Sequence, residues 1–234
     1  MEKKHGKKYR TALSKVDINK LYTIEEACAL LKETSVTKFD ASTEIHMHLG
    51  IDPAKAEELI RNTVALPNGI GKEVRVIAFV GEDKVKESLA AGAIKAGNQE
   101  LVAEIEKGWL EFDTAVATPD MMKGLGKIAR TLGQKGLMPN PKAGTVTTEL
   151  TKTISEIKKG KVEFRNDKLG NLHNIFGKVS FSADKLVENL KSYLKAVLES
   201  KPKDMKGNFV LSVTITTTMG PGVKIDHLNA LKDL

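Results

Sequence analysis

The order of apolar and polar residues predicts two kinds of β-sheet in this chain. Glu44–Leu49 and Val210–Thr218 alternate strictly, which is typical of strands with one buried and one exposed face. Val74–Val80 is apolar at every position except Arg75, and its last five residues form a continuous apolar run, as in parallel strands covered on both sides. The faces of the last strand are predicted to be Leu211, Val213 and Ile215 on one side, and Ser212, Thr214, Thr216 and Thr218 on the other.

Helical spacing is clearest over Ala183–Glu199, where apolar residues recur every three or four positions. Thr23 and Glu26 have the spacing of a capping box, which predicts a helix beginning after Thr23. Asp52-Pro53 predicts the start of a short helix. Further short helices are predicted at Lys84–Ala91, Glu100–Glu106, Lys127–Leu132 and Leu150–Ile157, and further short strands at Ala93-Ile94, Thr114–Thr118, Val162–Arg165 and Asn174–Val179.

Two glycine-containing breakers, Leu66–Gly71 and Lys158–Gly160, frame the middle of the chain. Between them strands and helices alternate along the chain, as in a small parallel α/β unit. In the segments outside, apolar and polar residues alternate within each strand, as is typical of antiparallel sheets with one exposed face. This change of style favours a domain inserted into another one.

Composition narrows the class of protein. Of the 234 residues, 41% are hydrophobic, which excludes an intrinsically disordered chain. The single cysteine, Cys28, cannot form an intramolecular disulfide. The start of the chain lacks the apolar core of a secretory signal, and no run is long enough to span a membrane, so we expect a cytoplasmic protein without a membrane partner.

The charge is uneven. Lys plus Arg number 37 and Asp plus Glu number 30, a formal net charge of +7. Basic residues dominate positions 1–15, where the interpretations of a solvated terminus and of a nucleic-acid arm are both open, and positions 121–148 contain five basic residues and no acidic one. These clusters favour a polyanionic partner.

Candidate catalytic and metal-binding motifs are weak. Gly124–Ala129 imitates a dinucleotide fingerprint, but it does not directly follow a strand and no acidic residue appears before Glu149. A nucleotide-binding enzyme that uses the middle domain is therefore kept only as an alternative. His46 and His48 share a strand face but lack a third ligand at a recognisable spacing, so no metal site, catalytic residue or cofactor is expected.

The hydroxyl-bearing face of Val210–Thr218 is the strongest candidate surface. Taken alone, it is better explained as an exposed strand face, because threonine suits strands in any case. However, the strand runs into Met219–Gly222, where little side-chain bulk would keep a partner away. Hydroxyls match the ribose 2′-OH and phosphate oxygens, and an aromatic content of 5% is too small for single-strand stacking platforms, so folded RNA is the predicted ligand.

Several longer strings show a family resemblance along essentially the whole chain. Gly133–Lys142 (GQKGLMPNPK) and Thr216–Gly222 (TTTMGPG) are the most specific, and Lys38–Asp40, Leu66–Gly69 and Thr118–Met122 support them. On these motifs the sequence resembles the bacterial large-subunit ribosomal protein L-one family.

The resemblance implies an α/β fold with two domains. The first, residues 1–67 plus 160–234, would be a discontinuous α/β layer domain with an antiparallel sheet built from both termini. The second, residues 68–159, would be an inserted Rossmann-like three-layer domain. Gly69, Gly71 and Gly160 would be hinges at the two crossings.

The resemblance also implies function. The first domain would bind large-subunit rRNA in the mobile stalk beside the tRNA exit site, contact other parts of the large subunit, help to release deacylated tRNA, and repress translation of its own mRNA. Exit-site tRNA is a further candidate partner, and the free protein is expected to be a monomer. The rival to this non-enzymatic RNA-binding role is a scaffold held by protein contacts alone. The implied RNA contacts are Lys38, Phe39, Ser42, Glu44, Arg165, Lys168, His173, Ser212, Thr216, Thr218, Met219 and Gly220.

Overall fold

A computed structural model describes residues 5–202, 205 and 207–232 of the chain. The chain divides into two compact units. Unit 1 comprises Met1–Gly71 and Glu163–Leu234, and unit 2 comprises Lys72–Val162. Each unit has its own sheets and its own apolar core.

The elements follow one another along the chain in a mixed order. The α-helices are α1 (Lys7–Leu13), α2 (Ile24–Thr34), α3 (Glu82–Ala90), α4 (Gln99–Glu106), α5 (Ala129–Lys135), α6 (Leu150–Lys158), α7 (Ala183–Glu199) and α8 (His227–Ala230). The strands are β1 (Ser42–Leu49), β2 (Arg61–Ala65), β3 (Val76–Phe79), β4 (Lys95–Gly97), β5 (Thr114–Ala117), β6 (Lys161–Arg165), β7 (Asn171–Lys178), β8 (Val210–Thr217) and β9 (Val223–Ile225). Short 3-10 helices cover Ala56–Glu58, Pro119–Lys127 and Pro141–Ala143.

Unit 1 is built on a four-stranded antiparallel sheet in the order β7-β1-β8-β9. Helices α2 and α7 pack against one face of it, which we call the inner face. The inner face is apolar because Ile45, Met47, Val213 and Ile215 all point to the helices and are buried. The capping box at the start of α2 is present, as the sequence predicted. A second sheet pairs β2 with β6.

Unit 2 is a three-stranded parallel sheet in the order β4-β3-β5. Side chains of β3 alternate between two buried clusters. Val76 and Ala78 pack with Leu150 and Ile154 of α6, and Ile77 and Phe79 pack with residues of α4 and α5 on the other side. The sheet is therefore covered on both faces, which explains the continuous apolar run. The predicted α/β class, with an antiparallel sheet in one unit and a parallel sheet in the other, is confirmed.

Several predicted elements need correction. The helix expected at Asp52-Pro53 is a 3-10 turn at Ala56–Glu58, and the strand expected at Ala93-Ile94 lies at Lys95–Gly97. The segment around Lys127–Leu132 is divided between a 3-10 helix and α5. The sequence analysis missed α1, β2, β9 and α8, which are short and weakly patterned.

The predicted position of Leu211 is wrong. Pairing of β1 with β8 shifts at its end, so that His48 faces Ser212 but Leu49 faces Val210. Leu211 is the extra residue of this bulge and is 44% exposed, while Val210 takes the buried position. Strict alternation fails here because a bulge adds one residue to one strand only. Among the described helices, none is both long and apolar enough to cross a membrane.

Candidate nucleic-acid interface

The outer face of the unit 1 sheet, opposite α2 and α7, is mostly polar, although Ile175 of β7, which pairs with Glu44, is 41% exposed. In the middle row, His46 of β1 pairs with His173 of β7 and with Thr214 of β8, and Thr214 pairs with Lys224 of β9. Rows on either side of it contain Glu44 with Thr216 and His48 with Ser212. None of the side chains of Ser212, Thr214, Thr216 and Thr218 is buried. The hydroxyl face predicted for β8 therefore points away from the core.

Two of these hydroxyls also shape the end of the sheet. The hydroxyl of Thr216 lies within hydrogen-bonding distance of the carbonyl oxygens of Gly220 (3.1 Å) and Pro221 (3.2 Å). Thr218 Oγ1 accepts a hydrogen bond from the backbone N–H of Ser42 at 3.2 Å and lies 3.3 Å from Glu44 Oε1. These contacts fix the hydroxyls before any ligand arrives, which reduces the entropy that binding would cost.

The turn after β8 presents an apolar side chain under backbone strain. Met219 has a φ of 67°, in the left-handed region that side-chain-bearing residues avoid, and its side chain is 74% exposed. Gly220 has a steric reason to be glycine, because a Cβ there would lie 2.3 Å from Thr217 Oγ1. Exposed apolar residues in strained turns are typical of functional sites.

The loop before β1 presents Phe39 at the same end of the sheet, 62% exposed. Asp40 holds this loop in place, because its carboxylate accepts two hydrogen bonds from Ser180. One comes from the backbone N–H (3.0 Å) and the other from the side-chain hydroxyl of Ser180 (2.8 Å). Lys178 Nζ donates to Ser42 Oγ at 3.0 Å. The sequence analysis did not select Asp40 or Lys178, because their partners are distant in sequence.

Histidine side chains occupy the middle of the outer face. The Nδ1 atoms of His46 and His173 lie 2.9 Å apart, and His48 Nδ1 lies 2.8 Å from Asn171 Oδ1. Desolvation lowers the pKa of His46, the proximity of His173 lowers it further, and Glu44 opposes both effects. The balance of these effects lowers the pKa of His46 and so favours the neutral ring. The sequence analysis paired His46 with His48, whereas the fold brings His46 to His173.

The turn between β6 and β7 presents Lys168 at the other end of the sheet. Asp167 organises it by accepting hydrogen bonds from the backbone N–H groups of Leu169 and Asn171, both at 2.8 Å. The bond from Asn171 is the largest cause of the lowered pKa of Asp167, which is about 2. Lys168 and Arg165 are exposed beside it.

The predicted contact residues therefore form two groups. Those near the Phe39 end are Lys38, Phe39, Ser42, Glu44, Thr216, Thr218, Met219 and Gly220, and those near the β6–β7 turn are Arg165, Lys168, His173 and Ser212. From Ser42 to His48 the strand extends about 20 Å at roughly 3.4 Å per residue. This length is suited to a groove of a folded nucleic acid rather than to a small molecule.

The glycines predicted as hinges have left-handed φ values: 65° at Gly69, 71° at Gly71 and 108° at Gly160. In unit 1, the buried Asn189 of α7 donates to the carbonyl oxygen of Gly69 at 2.8 Å and accepts from the N–H of Asn68 at 2.9 Å. A Cβ at Gly71 would lie 2.6 Å from Lys178 Cγ. The segment up to Gly71 is thus held against unit 1.

The alternative of a nucleotide-binding enzyme has no geometric support. Gly124 and Gly126 lie inside the 3-10 helix Pro119–Lys127, so they do not form a glycine loop between a strand and an α-helix. Within the described part of the chain, no three His, Cys, Asp or Glu side chains are grouped to hold a metal ion.

The basic clusters fall in both units. Lys7, Lys8 and Arg10 lie on α1, and Lys3 and Lys4 lie outside the described residues. The acid-free stretch 121–148 covers part of the Pro119–Lys127 helix, α5 and the Pro141–Ala143 turn of unit 2. Its charge adds to the long-range attraction for a polyanion.

Comparison with known proteins identifies relatives over nearly the whole chain. Residues 31–221 match the model of the Ribosomal protein L1p/L10e family. The protein named large ribosomal subunit protein uL1 of Salinispora tropica is 54% identical over 230 residues, which cover 98% of this chain and 96% of the relative. The uL1 proteins of Macrococcus caseolyticus (53% identical; 95% and 96% covered) and Chloroflexus aggregans (54% identical; 95% of both covered) are similar.

The fold and the sheet thus define a two-unit α/β protein whose antiparallel sheet has helices on one face and polar side chains on the other. The chain belongs to the Ribosomal protein L1p/L10e family, which confirms the resemblance stated from its motifs. It is a ribosomal protein by family and not an enzyme, as the sequence analysis predicted.

Proposed function

We propose that this chain is a cytoplasmic protein of the large ribosomal subunit and binds a structured region of large-subunit rRNA with the outer face of the unit 1 sheet. The observation that carries the proposal is the uncovered row of hydroxyls on β8, flanked by two exposed apolar side chains, Phe39 and Met219. Hydroxyls supply donors and acceptors for ribose and phosphate oxygens, and apolar side chains can pack on bases or sugars.

The sheet face is suited to specificity rather than to bulk charge. Its centre contains hydroxyls, histidines and the carboxylate of Glu44, while Lys38, Lys168 and Arg165 lie around it. A carboxylate repels phosphate, so its presence favours contact with a ribose hydroxyl or a base donor at that point. The peripheral cations supply attraction that depends on salt.

The test is protection footprinting of total ribosomal RNA by the purified chain, followed by affinity measurements on the protected fragment. We expect a single protected region in the large-subunit RNA, and an affinity for that fragment well above that for an unrelated hairpin of equal length. Equal affinities would contradict the proposal. A scaffold held only by protein contacts would protect no RNA.

The finer roles rest on the family assignment. We propose that the chain forms part of the mobile stalk beside the tRNA exit site, helps to release deacylated tRNA, and represses its own mRNA through a hairpin that imitates the rRNA site. A competition experiment tests the last role, because mRNA and rRNA fragments that use one surface must displace each other. Simultaneous binding of both would contradict it.

We also propose that the two units, Met1–Gly71 with Glu163–Leu234 and Lys72–Val162, are the separate domains expected from the sequence as 1–67 plus 160–234 and 68–159, and that Gly69, Gly71 and Gly160 near the crossings allow them to move. The left-handed φ of each glycine supports this, since other residues resist that conformation. The hydrogen bonds of Asn189 to the Asn68–Gly69 segment favour movement on the unit 2 side of Gly71. X-ray scattering of the free monomer that fits one rigid shape would argue against movement.

A further inference from the structure

The imidazole rings of His46 and His173 face each other across two paired strands. Their Nδ1 atoms lie 2.9 Å apart, and the ladder between β1 and β7 fixes the backbones that present them. The side chains are 35% and 54% exposed, so an ion or small ligand can reach the space between the rings from solvent.

The opposite nitrogen of each ring faces a carboxylate. His46 Nε2 lies 3.7 Å from Glu44 Oε2, and His173 Nε2 lies 3.6 Å from Asp167 Oδ2. A carboxylate favours the tautomer with a hydrogen on the nitrogen that faces it. The separation of 2.9 Å is that of a hydrogen bond between the two Nδ1 atoms, in which one of them carries the hydrogen. When both rings carry their hydrogen on Nε2 instead, that hydrogen bond is absent and both Nδ1 lone pairs are available to one cation.

We propose that His46 and His173 are the two protein ligands of a site for one divalent transition metal ion, bound through both Nδ1 atoms. Two ligand nitrogens about 2.0–2.1 Å from one ion, at right angles, lie about 2.8–3.0 Å apart. This agrees with the separation of 2.9 Å between the two Nδ1 atoms. Neutral imidazole is a preferred ligand of Ni²⁺, Cu²⁺ and Zn²⁺, and water would fill the remaining positions.

The carboxylates behind the rings are themselves held in place. Asp167 accepts the N–H groups of Leu169 and Asn171, and Glu44 Oε1 lies 3.3 Å from Thr218 Oγ1. Carboxylates that orient a ligating histidine and raise its basicity strengthen metal binding 10- to 100-fold. The arrangement therefore contains both the ligands and the groups that orient them.

The test titrates the full chain with Ni²⁺ at neutral pH, without RNA, so its outcome does not depend on the proposed function. We expect one ion per chain at this site, and selective broadening of the ring signals of His46 and His173 in the NMR spectrum because Ni²⁺ is paramagnetic. Replacing His173→Gln or His46→Gln should remove the broadening and weaken binding at least tenfold. Glu44→Gln and Asp167→Asn should each weaken it about tenfold.

His48→Gln and His5→Gln are the matched controls, since each removes one imidazole outside the pair, and neither should alter the broadening. Loss of binding in His48→Gln with retention in His173→Gln would overturn the proposal, as would Ni²⁺ binding that no variant of the pair changes. If His46→Gln fails to fold, His173→Gln provides the same test, because the His173 ring that it removes is more exposed and its loss disturbs the fold less.

Discussion

The backbone N–H of Ser42 donates to Thr218 Oγ1 at 3.2 Å, and the N–H of Thr218 donates to the carbonyl oxygen of Ser42 at 3.0 Å. This reciprocal pair joins the start of β1 to the residue after β8, and so places the Phe39 loop beside the Met219 turn. Because the same hydroxyl belongs to the proposed RNA surface, Thr218 combines a role in folding with a proposed role in binding.

Thr218→Val tests both roles. The substitution leaves the N–H of Ser42 without its side-chain acceptor, so we expect the free energy of unfolding to fall by about 1 kcal/mol. The affinity for the rRNA fragment should fall further, by about 1–3 kcal/mol, if a partly desolvated RNA group also loses its partner. Denaturant unfolding and fluorescence anisotropy measure the two effects. Thr214→Val, on the same face, is the control for stability, and an unchanged dissociation constant in Thr218→Val would contradict the binding role.

Replacing Met219 with glycine should raise the free energy of unfolding and lower the affinity for rRNA. Replacing it with glycine removes the left-handed strain, so Met219→Gly should be about 0.5–1 kcal/mol more stable than the wild type. The rRNA affinity should nevertheless fall at least fivefold, because the exposed side chain is lost. Leu228→Ala, which truncates another exposed apolar residue, 61% exposed on α8, should leave the affinity unchanged. If Met219→Gly binds the rRNA fragment as tightly as the wild type, the side chain of Met219 makes no contact with the RNA.

Lys168 should contribute long-range attraction only. In Lys168→Gln, the slope of log affinity against log salt concentration should become shallower by about 0.7–0.9, the effect of one phosphate contact fewer. Discrimination between the rRNA fragment and an unrelated hairpin should hardly change. Lys195→Gln removes an exposed charge from α7, on the opposite side of the sheet, and should leave the slope as it is.

Asn189 should be one of the most important polar residues for stability. Its amide donates to the carbonyl oxygens of Gly69 and Phe176 and accepts from the N–H of Asn68. Asn189→Ala leaves these groups unpaired, so the free energy of unfolding should fall by about 2–4 kcal/mol. The exposed Asn229 of α8 gives the control, since Asn229→Ala should cost under about 0.5 kcal/mol. A similar loss in both variants would contradict this role of the buried amide.

Asp167 should make stability depend on pH in the acid range. Its pKa is about 2 in the folded chain and about 4 in an unfolded one, so it stabilises the fold above pH 4. This contribution is lost as the pH falls from about 4 to 2. Unfolding curves measured over this range should therefore fall less steeply for Asp167→Asn than for the wild type. If the stability of both proteins falls equally steeply with pH, the turn does not favour the ionised form of Asp167.

Much of this fold could be predicted from local pattern. The capping box of α2, the 17-residue helix α7 and the polar face of β8 follow from residues that are close in sequence. Short elements such as β2 and β9 could not be predicted, because their strand conformation depends on pairing with segments far along the chain.

The sequence by itself determined the class of fold, the two styles of sheet and the hydroxyl-bearing face of β8, since periodicity and residue chemistry are local properties. Only the tertiary structure decided which side chains meet. A bulge between β1 and β8 exposes Leu211, and the register between β1 and β7 sets His46 against His173. Both features arise from the pairing of two strands, so neither can be inferred from the sequence of one strand. Where two residues of different strands act together, the backbone hydrogen bonds between those strands fix the arrangement.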